Sequence, residues 1–438
     1  MQTRSARTNA LLAFFIALLA TTSSVQARDA RIAPAKPETV GFSSERLQRL
    51  EKGMQSYVDQ KQLAGIVTVL ARHGKVVHEK TYGVMDLESK APIKTDSIVR
   101  IFSMTKPITG VAMMMLYEEG KWRLTDPIAR HIPEFKDLKV FAGMGADGKP
   151  ILEAPKHAPT MGELMSHTAG FTYGAFGSTP VDKMYQAANP FAEPNLQAFI
   201  GKMAQLPLLY QPGEGWVYSV SVDIQGYLVE KLSGQPLGTF MRERIFKPLG
   251  MKDTGFSVPA DKLGRVATIY SGGPNGIVPQ PRDPNISKEP GLPQGGGGLY
   301  GTAPDYLRFV QMLANGGELD GQRLLAPSSV ELMYANRVPD AVRTGKFGIG
   351  NYRQQPGLGF GIDVAVFDDP AKIGSTAGKG TYFWDGVAGT WFWVDPTNDI
   401  VFVGIIQRMM TGGPMGSLPN IEDYSRQLVY QALIDPSK

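Results

Sequence analysis

The two stretches of this chain that read most clearly as β-hairpins stand at opposite ends of it, and that separation governs what the chain can fold into. Ala64 to Ala71 and Lys75 to Tyr82 carry β-branched residues, and His73-Gly74 between them supplies a tight turn. Far downstream, Gly389 to Val394 and Ile400 to Ile406 flank Asp395-Pro396-Thr397-Asn398-Asp399, a second hairpin signal. Strands at both ends with helices between them imply one antiparallel sheet completed by both termini. Ser43 to Gln60 carries Leu47, Leu50, Met54 and Val58 at helical spacing; a helix is expected over 103–118, with Ile108, Val111, Ala112 and Met115 on one face and Gly120 as its cap, and an amphipathic one over 421–434. Residues 28–40 are Pro- and Ala-rich and are expected to be extended. The middle, from Leu124 to Arg308, mixes helices with Gly- and Pro-rich loops such as Gly272 to Gly298. The expected class is α+β, a single domain over 28–438. Its α/β lobe spans about 40–120 and 300–438, and a mostly helical lobe over about 121–299 is inserted into it.

The first residues read as an export signal. Arg4 and Arg7 precede an apolar run from Leu11 to Ala20, and Val25-Gln26-Ala27 suits signal peptidase, so residues 1–27 are expected to be removed. The run is too short for a hydrocarbon core of ~30 Å, and no later stretch is long and apolar enough to cross one. No stable membrane insertion after cleavage is therefore expected, and a periplasmic or secreted location is. Losing Arg4 and Arg7 lowers the net charge from +4 to +2, which gives no electrostatic basis for nucleic-acid binding. The chain has no cysteine, which excludes disulfides, zinc–thiolate sites, a lipoprotein anchor and a cysteine nucleophile. Its five histidines (His73, His78, His131, His157, His167) form no paired-ligand spacing, so neither a metal nor a cofactor is expected.

Three elements could carry chemistry. In Ser103-Met104-Thr105-Lys106, residues three apart on a helix face the same side, so the lysine can reach the serine oxygen. Desolvation would bring the lysine pKa down from about 10.4 and let it accept the serine proton, while the helix N-terminus favours a developing oxyanion. An N-capping serine followed by a solvated lysine has the same spacing. No Gly-x-Ser-x-Gly elbow occurs, so this is the one nucleophile arrangement with a built-in base. Pro212 to Ser219 delivers Tyr218 from a Gly/Pro loop just ahead of an apolar helix, as a proton relay or as an ordinary core tyrosine. Tyr382 to Thr390 ends a strand in small residues, suited either to an oxyanion-binding N–H or to tight packing.

In this order, and together with Ile101-Phe102, Pro107, Leu124-Thr125-Asp126-Pro127, Leu164 to Gly170, Gly296 to Thr302 and Gly389 to Pro396, these elements resemble the serine β-lactamase and penicillin-binding-protein-like superfamily. The likeness is closest to class C β-lactamase-like hydrolases and, among them, to family VIII carboxylesterases. It spans about Val40 to Leu433. The resemblance implies the β-lactamase/transpeptidase-like fold, Ser103 as the acylated nucleophile, Lys106 as its proton partner and Tyr218 as general base. It also implies an oxyanion hole of the Ser103 and Val387 N–H groups, with Trp384-Asp385-Gly386 as the substrate-binding third motif.

Two departures from the β-lactamase pattern stand out. Val220 replaces the Asn of Tyr-x-Asn, and Trp384 and Asp385 replace the Lys and Thr of Lys-Thr-Gly. Losing that lysine removes the partner of a β-lactam carboxylate, and Asp385 is expected to repel it. The expected substrate is therefore a small, neutral, fairly apolar short-chain ester, with at most a weak β-lactamase side activity. A β-lactamase or D-alanyl-D-alanine carboxypeptidase is the second reading, and a silent penicillin-binding-like binding protein the third. The resemblance implies that His167 belongs to a structural turn rather than acting as a base, and Lys379 reads as a solvated loop residue. Tyr173 to Pro190 and Ser271 to Pro290 are expected to rim the pocket. Nothing in the sequence marks an oligomeric state.

Overall fold

The computed structural model describes residues 32–273, 276–343, 348–349, 352–353, 356–409 and 421–438. The expected export segment, 1–27, lies outside them. Ser43 accepts a hydrogen bond from the Arg46 N–H and so starts helix α1 (Ser44–Asp59), which buries Leu47, Leu50 and Met54. Strands β1 (Gly65–Arg72) and β2 (Lys75–Gly83) follow. They are joined through His73 (φ 51°) and Gly74 (φ 66°), the consecutive left-handed pair that a two-residue hairpin requires.

Helices α2 (Thr105–Glu118), α3 (Pro180–Ala188), α4 (Ser221–Ser233) and α5 (Ala303–Ala314) come next. The chain then returns through β3 (Leu358–Phe360), β4 (Ala365–Phe367), β5 (Tyr382–Asp385), β6 (Trp391–Asp395) and β7 (Ile400–Ile405) to helix α6 (Ile421–Tyr430). The seven strands form one antiparallel sheet in the order β3-β4-β5-β6-β7-β1-β2. The N-terminal hairpin is zipped onto the last strand, with Val67 opposite Ile405 and Arg72 opposite Ile400. Both termini thus complete the sheet, as the two distant hairpins predicted.

The inner strands β1, β6 and β7 are buried along their whole length and read as nearly continuous apolar runs. Edge strand β2 instead exposes Lys75, Glu79 and Lys80, charges that discourage pairing with another chain. Helices α1 and α6 cover one face, where the Trp391 indole N–H donates to Ser425 Oγ of α6 (3.2 Å). Helix α5 covers the other. There the Tyr306 ring lies 5.3 Å from Phe392, and its hydroxyl donates to the Met104 carbonyl (2.9 Å) at the start of α2.

Three local expectations need correction. Helix α2 is not amphipathic in place: every residue from Thr105 to Leu116 is buried, because α4 and the helix Leu237–Met241 pack against it along with the site loops. Residues 37–40 form a 3-10 turn rather than extended chain, ended by Gly41 at φ 80°. The final helix stops at Tyr430, after which Leu433 bridges back to Phe42. Among the described residues, no helix is long and apolar enough to cross a membrane.

Candidate active site

Ser103 follows a strained step in the backbone. The short strand Val99–Arg100 leads to Ile101, whose N–H donates to the Leu299 carbonyl (3.0 Å), and Phe102 then adopts φ 44°. A bulky residue in the left-handed region costs on the order of 1–3 kcal/mol. It is held there partly by Arg100, whose guanidinium lies 4.7 Å from the Phe102 ring centroid. Ser103 therefore sits in a 3-10 turn (Phe102–Met104) rather than in the α-helix itself, which begins at Thr105.

One turn on, Lys106 is fully buried, and its Nζ donates to Ser103 Oγ (3.0 Å) and to the Gly296 carbonyl (2.6 Å). Burial brings its pKa down from 10.5 to about 8, against the opposing pull of Asp223, Asp363 and Asp385. The glycine run that holds it is itself held: Asp223 of α4 accepts from the Gly296 N–H (2.9 Å) and from the Tyr173 hydroxyl (3.2 Å). A chain of contacts thus runs from Tyr173 through Asp223 and Gly296 to the lysine. Burial also raises the Asp223 and Asp363 carboxyls above their ordinary range.

Tyr218 enters from the loop ahead of α4 and donates its hydroxyl hydrogen to Ser103 Oγ (2.7 Å). Aromatic rings enclose it, with centroids of Tyr173 at 5.3 Å, His167 at 5.2 Å, Trp384 at 5.4 Å and Phe176 at 5.7 Å. Burial pushes its pKa well above 10, so the resting phenol keeps its proton. The same burial acts in opposite senses on the two partners of Ser103, because it always disfavours the charged form.

Neither the Ser103 nor the Val387 N–H donates to a described residue. Just past β5 the chain runs close to the serine's segment at Gly386, where a Cβ would lie 2.4 Å from the Ile101 carbonyl oxygen. Its N–H donates to the Thr390 carbonyl (2.7 Å), closing the tight turn that carries Val387.

Residues 49–419 match the family model described as Beta-lactamase. The chain belongs to this family. Among curated relatives, Protein Rv1367c of Mycobacterium tuberculosis is 36% identical over 79% of this chain and 86% of its own length. Esterase EstB of Burkholderia gladioli is 32% identical over 78% of this chain and 86% of its own. Among solved structures, EstCE1, described as a hydrolase with promiscuous acyltransferase activity, superposes with a TM-score of 0.71 at 26% identity, covering 88% of this chain and 99% of that one. Family and relatives together make the chain a serine hydrolase.

For this β-lactamase-family chain, the structure brings Ser103, Lys106, Tyr218, Trp384 and the Val387 turn together. It treats Asp385 differently. Successive strand side chains point to opposite faces, so Trp384 lies with Tyr218 and Phe360, while Asp385 shares the α6 face with its cross-strand partner Trp391. There its carboxyl hydrogen-bonds Glu422 of α6, and burial raises it from 3.8 to about 6. Asp385 thus acts on the lysine through its field, from the face opposite Trp384. Val220 is fully buried, and offers no polar group to the site.

His167 (φ 59°) is buried and neutral, its Nδ1 paired with Ser219 Oγ (3.0 Å), as befits a turn that braces Tyr218. Lys379 is exposed. Of the two loops expected at the rim, the first supplies Tyr173 and Phe176, although its second half is helix α3. The second packs elsewhere, through Tyr270–Arg408 and Val258–Ile286, and the stretch that touches the site is 295–298. Asp223 and Tyr173 carry no motif of their own; an acid in the first turn of an otherwise apolar helix, five residues after Tyr218, is the one signal the sequence offers.

Proposed function

We propose that this serine hydrolase cleaves neutral carboxylic esters with short, fairly apolar acyl groups through an acyl-enzyme on Ser103. The observation that carries the reading is the convergence of Tyr218 OH and the buried Lys106 Nζ on one serine oxygen. In this reading neutral Lys106 takes the Ser103 proton as Oγ bonds to the ester carbonyl carbon. The Ser103 and Val387 N–H groups hold the oxyanion. When the C–O bond breaks, the leaving alcohol oxygen takes the Tyr218 hydroxyl proton, and Lys106 restores it. Water then repeats the sequence on the acyl-enzyme, and the acid is released.

The apolar surroundings of Ser103, with Trp384 where β-lactamases carry lysine, favour uncharged substrates over β-lactams and cell-wall peptides, which bear a carboxylate. We read the mature enzyme as periplasmic or secreted on its N-terminal segment alone. The test is initial rates on p-nitrophenyl butyrate and a chromogenic cephalosporin, for wild type and Ser103→Ala. Fast ester cleavage, slow cephalosporin cleavage and loss of both in the variant support the reading. A faster cephalosporin rate would make the enzyme a β-lactamase.

A further inference from the structure

Phe176 is a large apolar side chain left 60% exposed, which alone is unremarkable on a protein surface. Its placement is what matters. The ring stands edge-on to Tyr173 (5.6 Å) and 5.7 Å from Tyr218, so an exposed aromatic face borders the phenol that touches Ser103. Tyr173 in turn stacks on Phe191 (6.2 Å), which backs the group from behind.

The loop carrying Phe176 is tied down rather than loose. One buried carboxylate, Asp182 in the first turn of α3, accepts from Thr172 Oγ1 (2.6 Å), the Thr179 N–H (2.9 Å) and Thr179 Oγ1 (2.7 Å). It therefore clamps both ends of the segment 172–179. Gln186 of α3 donates to the Gly174 carbonyl (2.7 Å), a third tie. At Gly177 a Cβ would lie 2.1 Å from the Asp182 carboxylate, so the chain can pass over its own clamp only without a side chain. An aromatic ring presented on a fixed loop loses little conformational freedom when a ligand covers it.

We propose that Phe176 forms the wall of the leaving-alcohol subsite and gives the enzyme a preference for esters of flat aromatic alcohols. The inference rests on the ester-hydrolase reading above. In that reading the alcohol oxygen receives its proton from Tyr218, so the alcohol lies against the residue that Phe176 borders. An offset or edge-on ring pair then forms between Phe176 and an aryl alcohol, and does not form with a small alkyl one.

The test compares ethyl butyrate with 2-naphthyl butyrate, which share an acyl group and differ only in the alcohol. The quantity read is kcat/KM, which reports steps up to acylation, for wild type, Phe176→Ala and Phe176→Trp. Phe176→Ala is expected to lower the ratio of the naphthyl to the ethyl kcat/KM about fivefold to tenfold, chiefly through the naphthyl KM. Phe176→Trp is expected to restore the preference. Equal losses on both esters, or no loss on the naphthyl ester, would overturn the subsite while leaving the hydrolase reading intact. If wild type cleaved neither ester, the hydrolase reading would fall and the subsite with it.

Discussion

The two faces of strand β5 are built from neighbouring residues and do different work. On one face Trp384 packs against Tyr218 and Phe360, within the aromatic enclosure of the proposed nucleophile. On the other, Asp385 meets Glu422 beside Trp391 and α6, and Phe383 lies under the Arg426 guanidinium (5.4 Å). Around the first face, burial makes Lys106 hold its proton less tightly and Tyr218 hold its own more tightly. On the second it raises the Asp385 carboxyl, whose hydrogen bond to Glu422 ties β5 to the C-terminal helix. A one-residue step along a strand thus separates the aromatic side that borders Tyr218 from the side packed on α6.

The comparison breaks most easily at the first face. Lys106→Met is expected to lower kcat for p-nitrophenyl butyrate by about a thousandfold, the range of a lost general base, with the fold retained in circular dichroism. Tyr218→Phe removes the proton donor to the alcohol and is expected to cost about a hundredfold in kcat. Because the base must be unprotonated, wild-type kcat/KM is expected to rise with pH and level off above about 8, the value to which burial brings Lys106. A profile flat from pH 6 to 9 would remove Lys106 from the base role.

The second face sharpens the contrast with smaller effects. Asp385→Asn is expected to change kcat less than threefold and to move the midpoint of the pH profile slightly below that of wild type, since one anion near Lys106 is gone. Its larger signature is in stability. A carboxyl raised from 3.8 to about 6 binds its proton more tightly in the folded state, so its contribution is full below about 4 and lost as pH rises through about 6. Wild type should therefore lose stability relative to Asp385→Asn over that window, read as urea midpoints at pH 4 and 7. Parallel midpoints would mean that the pair with Glu422 carries no proton linkage.

Much of this was readable from the chain. The His73-Gly74 turn and the two distant hairpins foretold a sheet closed by both termini, because turn chemistry and strand period are local signals. The approach of Lys106 to Ser103 was legible for a similar reason, since residues three apart at a helix start share a side; Tyr218 was marked only by the family resemblance of its motif. The Asp223–Gly296–Lys106 chain was not legible, since it joins positions far apart whose meeting depends on how α2, α4 and the glycine run pack. Nor was the all-round burial of α2, because a helix shows its own pattern and not the number of its neighbours. The separation of Asp385 from Trp384 follows from the alternation of strand side chains, once Tyr382–Asp385 is known to be a strand.

The central claim is that Ser103 is the residue acylated, and intact-protein mass spectrometry with a fluorophosphonate probe, followed by peptide mapping, tests it most directly. The account predicts one adduct, on the peptide containing Ser103, absent in Ser103→Ala and formed far more slowly in Lys106→Met. An adduct on another residue, or none on the active wild-type enzyme, would contradict it.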